Sequence, residues 1–136
     1  MSPRDDSDPT GRKDDKVSIM ICEDEAIVAL DLKMLVEEVG YDVLGPFPSV
    51  ASANRSCDEP GLRVAILDVR LRDGEVFPLA DKLRDRGVGL IFHSGHALSG
   101  EISDRFPDAQ FCPKPLSTSR LTESLHSLAR REVETD

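Results

Sequence analysis

The sequence predicts an α/β fold in which helices cover both faces of a parallel sheet. Five short apolar runs alternate with amphipathic stretches along the 136 residues. The runs are almost continuously apolar, which is typical of strands that are buried on both faces. Segments with helical spacing or helix stop signals separate the runs, so the predicted order is strand then helix, repeated five times.

The apolar runs predict strands over residues 17–22, 41–44, 64–69, 88–92 and 109–113. The segments between and after them predict helices over residues 26–39, about 49–57, about 75–86 and about 118–131. Gly45-Pro46 is expected to end the second strand, and Ser117 or Ser119 to cap the last helix. The segment 95–106 is interrupted by Gly95 and Gly100, so only a short, weak helix is expected there.

Composition narrows the classes of function. The net charge is -9, from 26 acidic and 17 basic residues, which argues against nucleic acid as a partner. Three cysteines without a CxxC pair favour reduced thiols and a cytoplasmic location over a disulfide framework. No apolar run approaches the roughly 20 residues of a membrane helix. Residues 1–16 lack a secretion signal and are expected to form a disordered tail, before a domain at 17–131 and a short tail at 132–136.

Polar side chains follow the predicted strands at the point where each strand ends. Glu23-Asp24-Glu25 follow the first strand, Asp68 lies near the end of the third, His93-Ser94 follow the fourth and Lys114 follows the fifth. Because the carboxyl ends of parallel strands share one edge of the sheet, a binding site is expected there. Glu25 itself is expected to be an exposed residue at the start of the helix.

This set of residues indicates phosphoryl chemistry assisted by a metal ion. Glu23, Asp24 and Asp68 offer the oxygen ligands that Mg2+ (or Mn2+) prefers, and a cation would relieve their repulsion. The Asp68 carboxylate can form an acyl phosphate. Lys114 could then neutralise the phosphoryl oxygens, and Ser94 could donate a hydrogen bond to them.

The motifs IMICEDE, VAILDVRLRDGE, IFHSG and FCPKPLS occur in one order across residues 17–128. In this order and spacing the chain resembles the receiver domain of two-component response regulators. The resemblance implies a flavodoxin-like (βα)5 doubly wound parallel sheet with strand order 2-1-3-4-5. It further implies that Glu23 and Asp24 are the metal-binding acids, Asp68 is the phosphoacceptor, and the backbone carbonyl of Arg70 completes the protein's metal ligands.

The same resemblance assigns the remaining site residues. Ser94 is implied as the switch hydroxyl, Phe111 as the aromatic switch residue, and Lys114 as the phosphate-sensing lysine in a cis Lys114-Pro115 peptide. The segment GLIFHSGHA is similar to the PFxFATGY signature of the FATGUY subgroup, which implies a histidine kinase of the HWE type. His93 and His96 depart from that signature and have no implied role; without an apparent third ligand, we do not expect them to bind zinc.

The expected function is that of a single-domain response regulator, which takes a phosphoryl group from a histidine kinase in a Mg2+-dependent reaction. It would then signal by binding an unknown downstream protein or act as a phosphate sink, and would catalyse only its own phosphorylation and dephosphorylation. One alternative is a receiver-like binding module that works without phosphorylation. Another is an aspartyl-phosphate phosphotransferase, although Arg70 stands where the haloacid dehalogenase-like family has a second aspartate.

Overall fold

The computed structural model describes residues 17–95 and 100–134. The predicted N-terminal tail and His96 lie outside these ranges. Within these ranges the structure has five main strands, namely β1 (Ser18–Cys22), β2 (Asp42–Phe47), β3 (Leu62–Leu67), β4 (Gly89–Ser94) and β5 (Gln110–Pro113). Five helices accompany them, namely α1 (Ala26–Glu38), α2 (Val50–Asn54), α3 (Phe77–Asp85), α4 (Gly100–Arg105) and α5 (Thr118–Glu134).

The five strands form one parallel sheet in the order β2-β1-β3-β4-β5. This confirms the predicted flavodoxin-like order 2-1-3-4-5. Two apolar clusters lie on opposite faces of the sheet, one beneath α1 and α5 and the other beneath α2, α3 and α4. Both faces are therefore covered, which is why the strands are nearly continuous in apolar residues.

The second strand is longer than predicted because it continues through Gly45-Pro46 to Phe47. The pairing with β1 shifts by one residue in this stretch, from Met20 opposite Leu44 to Cys22 opposite Phe47. Gly45 lies in the shift with φ +105°, and a Cβ there would approach Ile21 O to 2.9 Å. The bulge accommodates the extra residue, and the peptide between Gly45 and Pro46 is cis.

A small hairpin between β3 and α3 was not predicted. Its two antiparallel strands are Arg70–Leu71 and Gly74–Glu75, so α3 begins at Phe77 instead of about residue 75. Asp73 lies in the turn of the hairpin, where its carboxylate accepts hydrogen bonds from the N–H groups of Val50 (2.8 Å) and Ala51 (3.1 Å). The hairpin is thereby fastened to the start of α2.

The helices of the C-terminal half largely follow the predictions. The helix α4 is short, as expected, and its last residue, Arg105, lies over the rings of Phe77 and Phe106 and pairs with Asp81 of α3. In α5, Ser117 is the capping residue, because its hydroxyl accepts a bond of 3.4 Å from Arg120 N. The helix ends at Glu134, three residues beyond the predicted end.

His93 is an unusual residue in this core. It is 1% exposed, and it alternates with Ile91 along β4, so it faces the apolar cluster beneath α1 and α5. Within the described part of the chain, neither ring nitrogen has a hydrogen-bond partner. Burial lowers the pKa of His93, the nearby Lys114 lowers it further, and Asp68 only partly opposes them. The imidazole is therefore held in its neutral form.

We expect His93 to make the protein sensitive to mild acid. The unfolded chain gains a proton on this imidazole below about pH 6.5, whereas the folded protein, with its lowered pKa, does not. Stability should therefore fall as pH drops through that value. His93→Leu should remove this loss. The free energy of unfolding of the variant, relative to that of the wild type, should therefore be larger at about pH 5.5 than at about pH 8. Urea titrations at both pH values measure the free energies of unfolding. An equal difference between variant and wild type at both pH values would contradict a neutral, buried His93.

Candidate functional site

The predicted strand-end residues meet at one edge of the sheet. Backbone hydrogen bonds extend the strand pairing beyond the regular strands and hold these residues in position. Asp68 N donates to Cys22 O at 3.0 Å, and Lys114 N donates to Ser94 O at 2.8 Å. The acidic turn after β1 and the ends of β3, β4 and β5 are thus tied together through the main chain.

Three carboxylates converge at this edge. Oxygens of Glu23, Asp24 and Asp68 lie within 4.8 Å of one another. Glu23 is buried, at 2% exposure, whereas Asp24 and Asp68 are half-buried. Burial raises the pKa of Glu23, and the charge of Asp68 adds to this, although the Glu25 N–H and Lys114 act in the opposite direction. The carboxylates therefore carry an electrostatic cost that a cation would relieve.

Lys114 is the ammonium at the centre of the site. Its Nζ lies 3.0 Å from Asp68 Oδ2, 3.1 Å from Glu23 Oε1 and 3.5 Å from Glu25 Oε1. Burial alone would lower the pKa of Lys114, but the adjacent carboxylates of Asp68 and Glu23 outweigh it and raise the pKa. Lys114 therefore stays charged, and it is placed where it can interact with any group attached to Asp68.

The carboxylate cluster suits a hard divalent cation. Magnesium prefers oxygen ligands and keeps open positions for water and phosphate oxygens, and here three carboxylates from two chain segments offer such ligands. Arg70 lies in the hairpin two residues after Asp68, and its guanidinium is 3.9 Å from Glu75 Oε2. The metal-binding role of the Arg70 carbonyl stays a prediction.

The two implied switch residues lie on neighbouring strands. Ser94 is the last residue of β4 and is buried, at 4% exposure. Phe111 lies opposite Phe92 in β5, is half-buried, and packs against the cluster beneath α2, α3 and α4. The Lys114-Pro115 peptide is cis, as the resemblance implied.

Glu25 also lies at the candidate site, a position that the sequence did not predict. It is exposed as expected, with 66% of its side chain accessible, yet its carboxylate reaches Lys114. Its backbone N–H also donates to Glu23 Oε2 at 3.1 Å. The one signal in the sequence was that Glu25 directly follows Glu23 and Asp24. Its contact with Lys114 could not be predicted, because the lysine is 89 residues away along the chain.

Other parts of the chain add little to the site. Cys22, Cys57 and Cys112 are buried free thiols. Burial raises the pKa of Cys22, with a smaller contribution from Cys57, and the thiol stays protonated. None of the helices within 17–95 and 100–134 has the length and apolar character that crossing a membrane requires.

Comparisons with known proteins point to one fold. No family model matches the chain. The Phyllosphere-induced regulator PhyR of Methylorubrum extorquens is 31% identical over 127 residues, which are 88% of this chain and 47% of that protein. The chain thus spans about half the length of this curated relative.

Solved structures of other proteins are similar to this chain over nearly their whole length. A CheY-like response regulator receiver domain from Methanospirillum hungatei has a TM-score of 0.78 at 21% identity, covering 89% of this chain and 99% of that one. The solution structure of SdrG from Sphingomonas melonis Fr1 has a TM-score of 0.70 at 29% identity, covering 84% and 97%. The chain therefore has the fold of response regulator receiver domains.

Proposed function

We propose that this chain is a cytoplasmic receiver domain of a two-component response regulator, which accepts a phosphoryl group on Asp68 from a histidine kinase. One observation carries the proposal. The Asp68 carboxylate lies within hydrogen-bonding distance of Lys114 and beside Glu23 and Asp24, at the strand edge where such folds bind ligands. A nucleophile, a cation for the phosphoryl oxygens and a set of metal ligands are thereby combined in one pocket.

The proposed reaction follows from this arrangement. An Asp68 carboxylate oxygen attacks phosphorus, the phosphorus–nitrogen bond of the donor phosphohistidine breaks, and the imidazole leaves with its electron pair and takes up a proton. Lys114 donates a hydrogen bond to a phosphoryl oxygen and neutralises part of its charge. Bound through Glu23, Asp24, Asp68 and the Arg70 carbonyl, Mg2+ (or Mn2+) would supply further charge neutralisation.

The proposed output is a change in the surface around β5. Ser94 would turn toward the phosphoryl group, and Phe111 would move into the space that it leaves, because packed side chains adopt discrete arrangements. Half-burial of Phe111 supports this, since the ring already has one side in the core. The altered surface would bind a downstream protein, or the domain would act as a phosphate sink.

The partners can be proposed more narrowly from the sequence. The segment GLIFHSGHA is similar to the FATGUY signature, and on that association we propose a kinase of the HWE type. The role of His96 in the signature stays open, because it lies outside the described residues.

Mg2+ should stabilise the protein if Glu23, Asp24 and Asp68 bind it. At about ten times the dissociation constant the expected stabilisation is about 1.4 kcal/mol, a shift of several degrees in Tm. Beryllofluoride, a phosphoryl analogue, should raise Tm further only when Mg2+ is present. Thermal melts across a Mg2+ titration at physiological salt measure both effects.

Asp24→Asn is the informative variant, because it removes one ligand charge and should weaken Mg2+ binding sharply. Asp31→Asn is the matched control, since Asp31 is an exposed aspartate on α1. It should respond to Mg2+ like the wild type. A wild-type Tm that does not change with Mg2+ and beryllofluoride would contradict the proposed function.

An exposed apolar stripe on α1 lies beside the site and suits the kinase. Among the described residues, the large apolar side chains that stand out as exposed are Ile27 (78%), Leu30 (54%) and Met34 (59%). Their spacing places them on one face of α1, which begins two residues after Asp24. We propose that the protein carrying phosphohistidine docks on this stripe, because α1 borders the carboxylate cluster and exposed apolar patches mark protein-binding surfaces.

Ile27→Ser should therefore slow phosphotransfer from the kinase without affecting small donors. We expect kcat/KM for the phosphorylated kinase to fall about fivefold or more. Labelling by acetyl phosphate should stay at the wild-type rate, since that donor needs no protein surface. Parallel time courses with both donors test this; an equal loss with both donors, or with neither, would exclude the stripe as a docking surface.

A further inference from the structure

We propose that Glu25 determines which donors load Asp68, because its carboxylate occupies the hydrogen-bond donor of Lys114 that an incoming phosphoryl oxygen needs. The inference rests on the proposed function and deepens it. Glu25 would act as a placeholder that the phosphoryl group displaces. It would disfavour small anionic donors, which bring no binding energy from a protein surface, relative to a docked kinase.

The hydrogen-bonding capacity of Lys114 supports this role. An ammonium group has three N–H donors. Three carboxylates lie around Nζ, those of Asp68 at 3.0 Å, Glu23 at 3.1 Å and Glu25 at 3.5 Å. Asp68 and Glu25 accept hydrogen bonds from Nζ, whereas Glu23 forms an ion pair with it. A phosphoryl oxygen that approaches Nζ competes with these contacts. Glu25 is the most readily displaced, because its contact is the longest and its side chain is 66% exposed, against 1% for Glu23 and 13% for Asp68.

The helix does not require this position of the Glu25 side chain. Glu25 is the N-cap residue of α1, but its side chain makes no capping hydrogen bond. Ser49, by contrast, caps α2 through its hydroxyl. The Glu25 carboxylate is therefore directed toward Lys114 at a position where side chains often bond to the helix.

The negative charge of Glu25 also disfavours small anionic donors, in addition to its competition for Lys114. Glu25 adds a fourth carboxylate to the cluster of Glu23, Asp24 and Asp68, and it lies beside the ammonium of Lys114. Each small phosphoryl donor is an anion, so it meets this excess of negative charge as it approaches. Because Glu25 is exposed, salt should screen its contribution.

Beryllofluoride binding tests the inference. We compare the dissociation constant of beryllofluoride at saturating Mg2+ for wild type, Glu25→Gln and Glu25→Ala, from amide NMR titrations. Removing the charge should tighten binding about twofold to fivefold, the range expected for one exposed ion pair. The gain should shrink in high salt. Mg2+ affinity is measured separately for each protein, so that an effect on the metal is not mistaken for one on the anion.

Glu38→Gln is the matched control. It makes the same change of charge at the other end of α1, about 20 Å away, and should bind beryllofluoride like the wild type. If wild type and Glu38→Gln bind while the Glu25 variants show equal or weaker affinity, the placeholder role is overturned and the proposed function stands. If neither wild type nor Glu38→Gln binds, the proposed function fails, and the inference fails with it.

Discussion

The structure depends on holding like charges together at the edge of one sheet. Oxygens of Glu23, Asp24 and Asp68 lie within 4.8 Å of one another, and Glu23 is almost completely buried. Such an arrangement is costly in water and more so in a partly buried site. Lys114 offsets part of the cost through its short contacts with Glu23 and Asp68. The remaining negative charge makes the site receptive to a divalent cation and, once that charge is balanced, to a phosphoryl group.

The fold keeps these residues in place when they repel each other. Asp68 N is bonded to Cys22 O and Lys114 N to Ser94 O, so neighbouring strands fix the start of each functional segment. Apolar clusters on both faces make the sheet a rigid platform. Unlike the sheet, α4 is a single short helix of Gly100–Arg105. Its C-terminal end is held to α3 by Arg105, Phe106 and Asp81. The rigid sheet can therefore keep the site residues in place while the short α4 changes its conformation.

Much of the fold could be predicted from the sequence, because strands buried on both faces and helical spacing leave strong patterns. The convergence of the candidate site residues could be predicted, because parallel strands bring their carboxyl ends together. The rest depends on tertiary context. The continuation of β2 to Phe47 needed a bulge, and the two-residue strands of the hairpin are too short to show a period. The contact of Glu25 with Lys114 and the burial of His93 arise only once distant segments pack.

The assignment of Asp68 as the phosphoacceptor underlies the proposed function. The most direct measurement is intact mass of the protein after incubation with acetyl phosphate or a phosphorylated kinase, followed by mapping of the modified residue after reductive trapping of the acyl phosphate. This assignment predicts one phosphoryl group on Asp68, no label when Mg2+ is chelated, and no label in Asp68→Asn. A phosphoryl group mapped to another residue, or Asp68→Asn labelled as fully as the wild type, would contradict it.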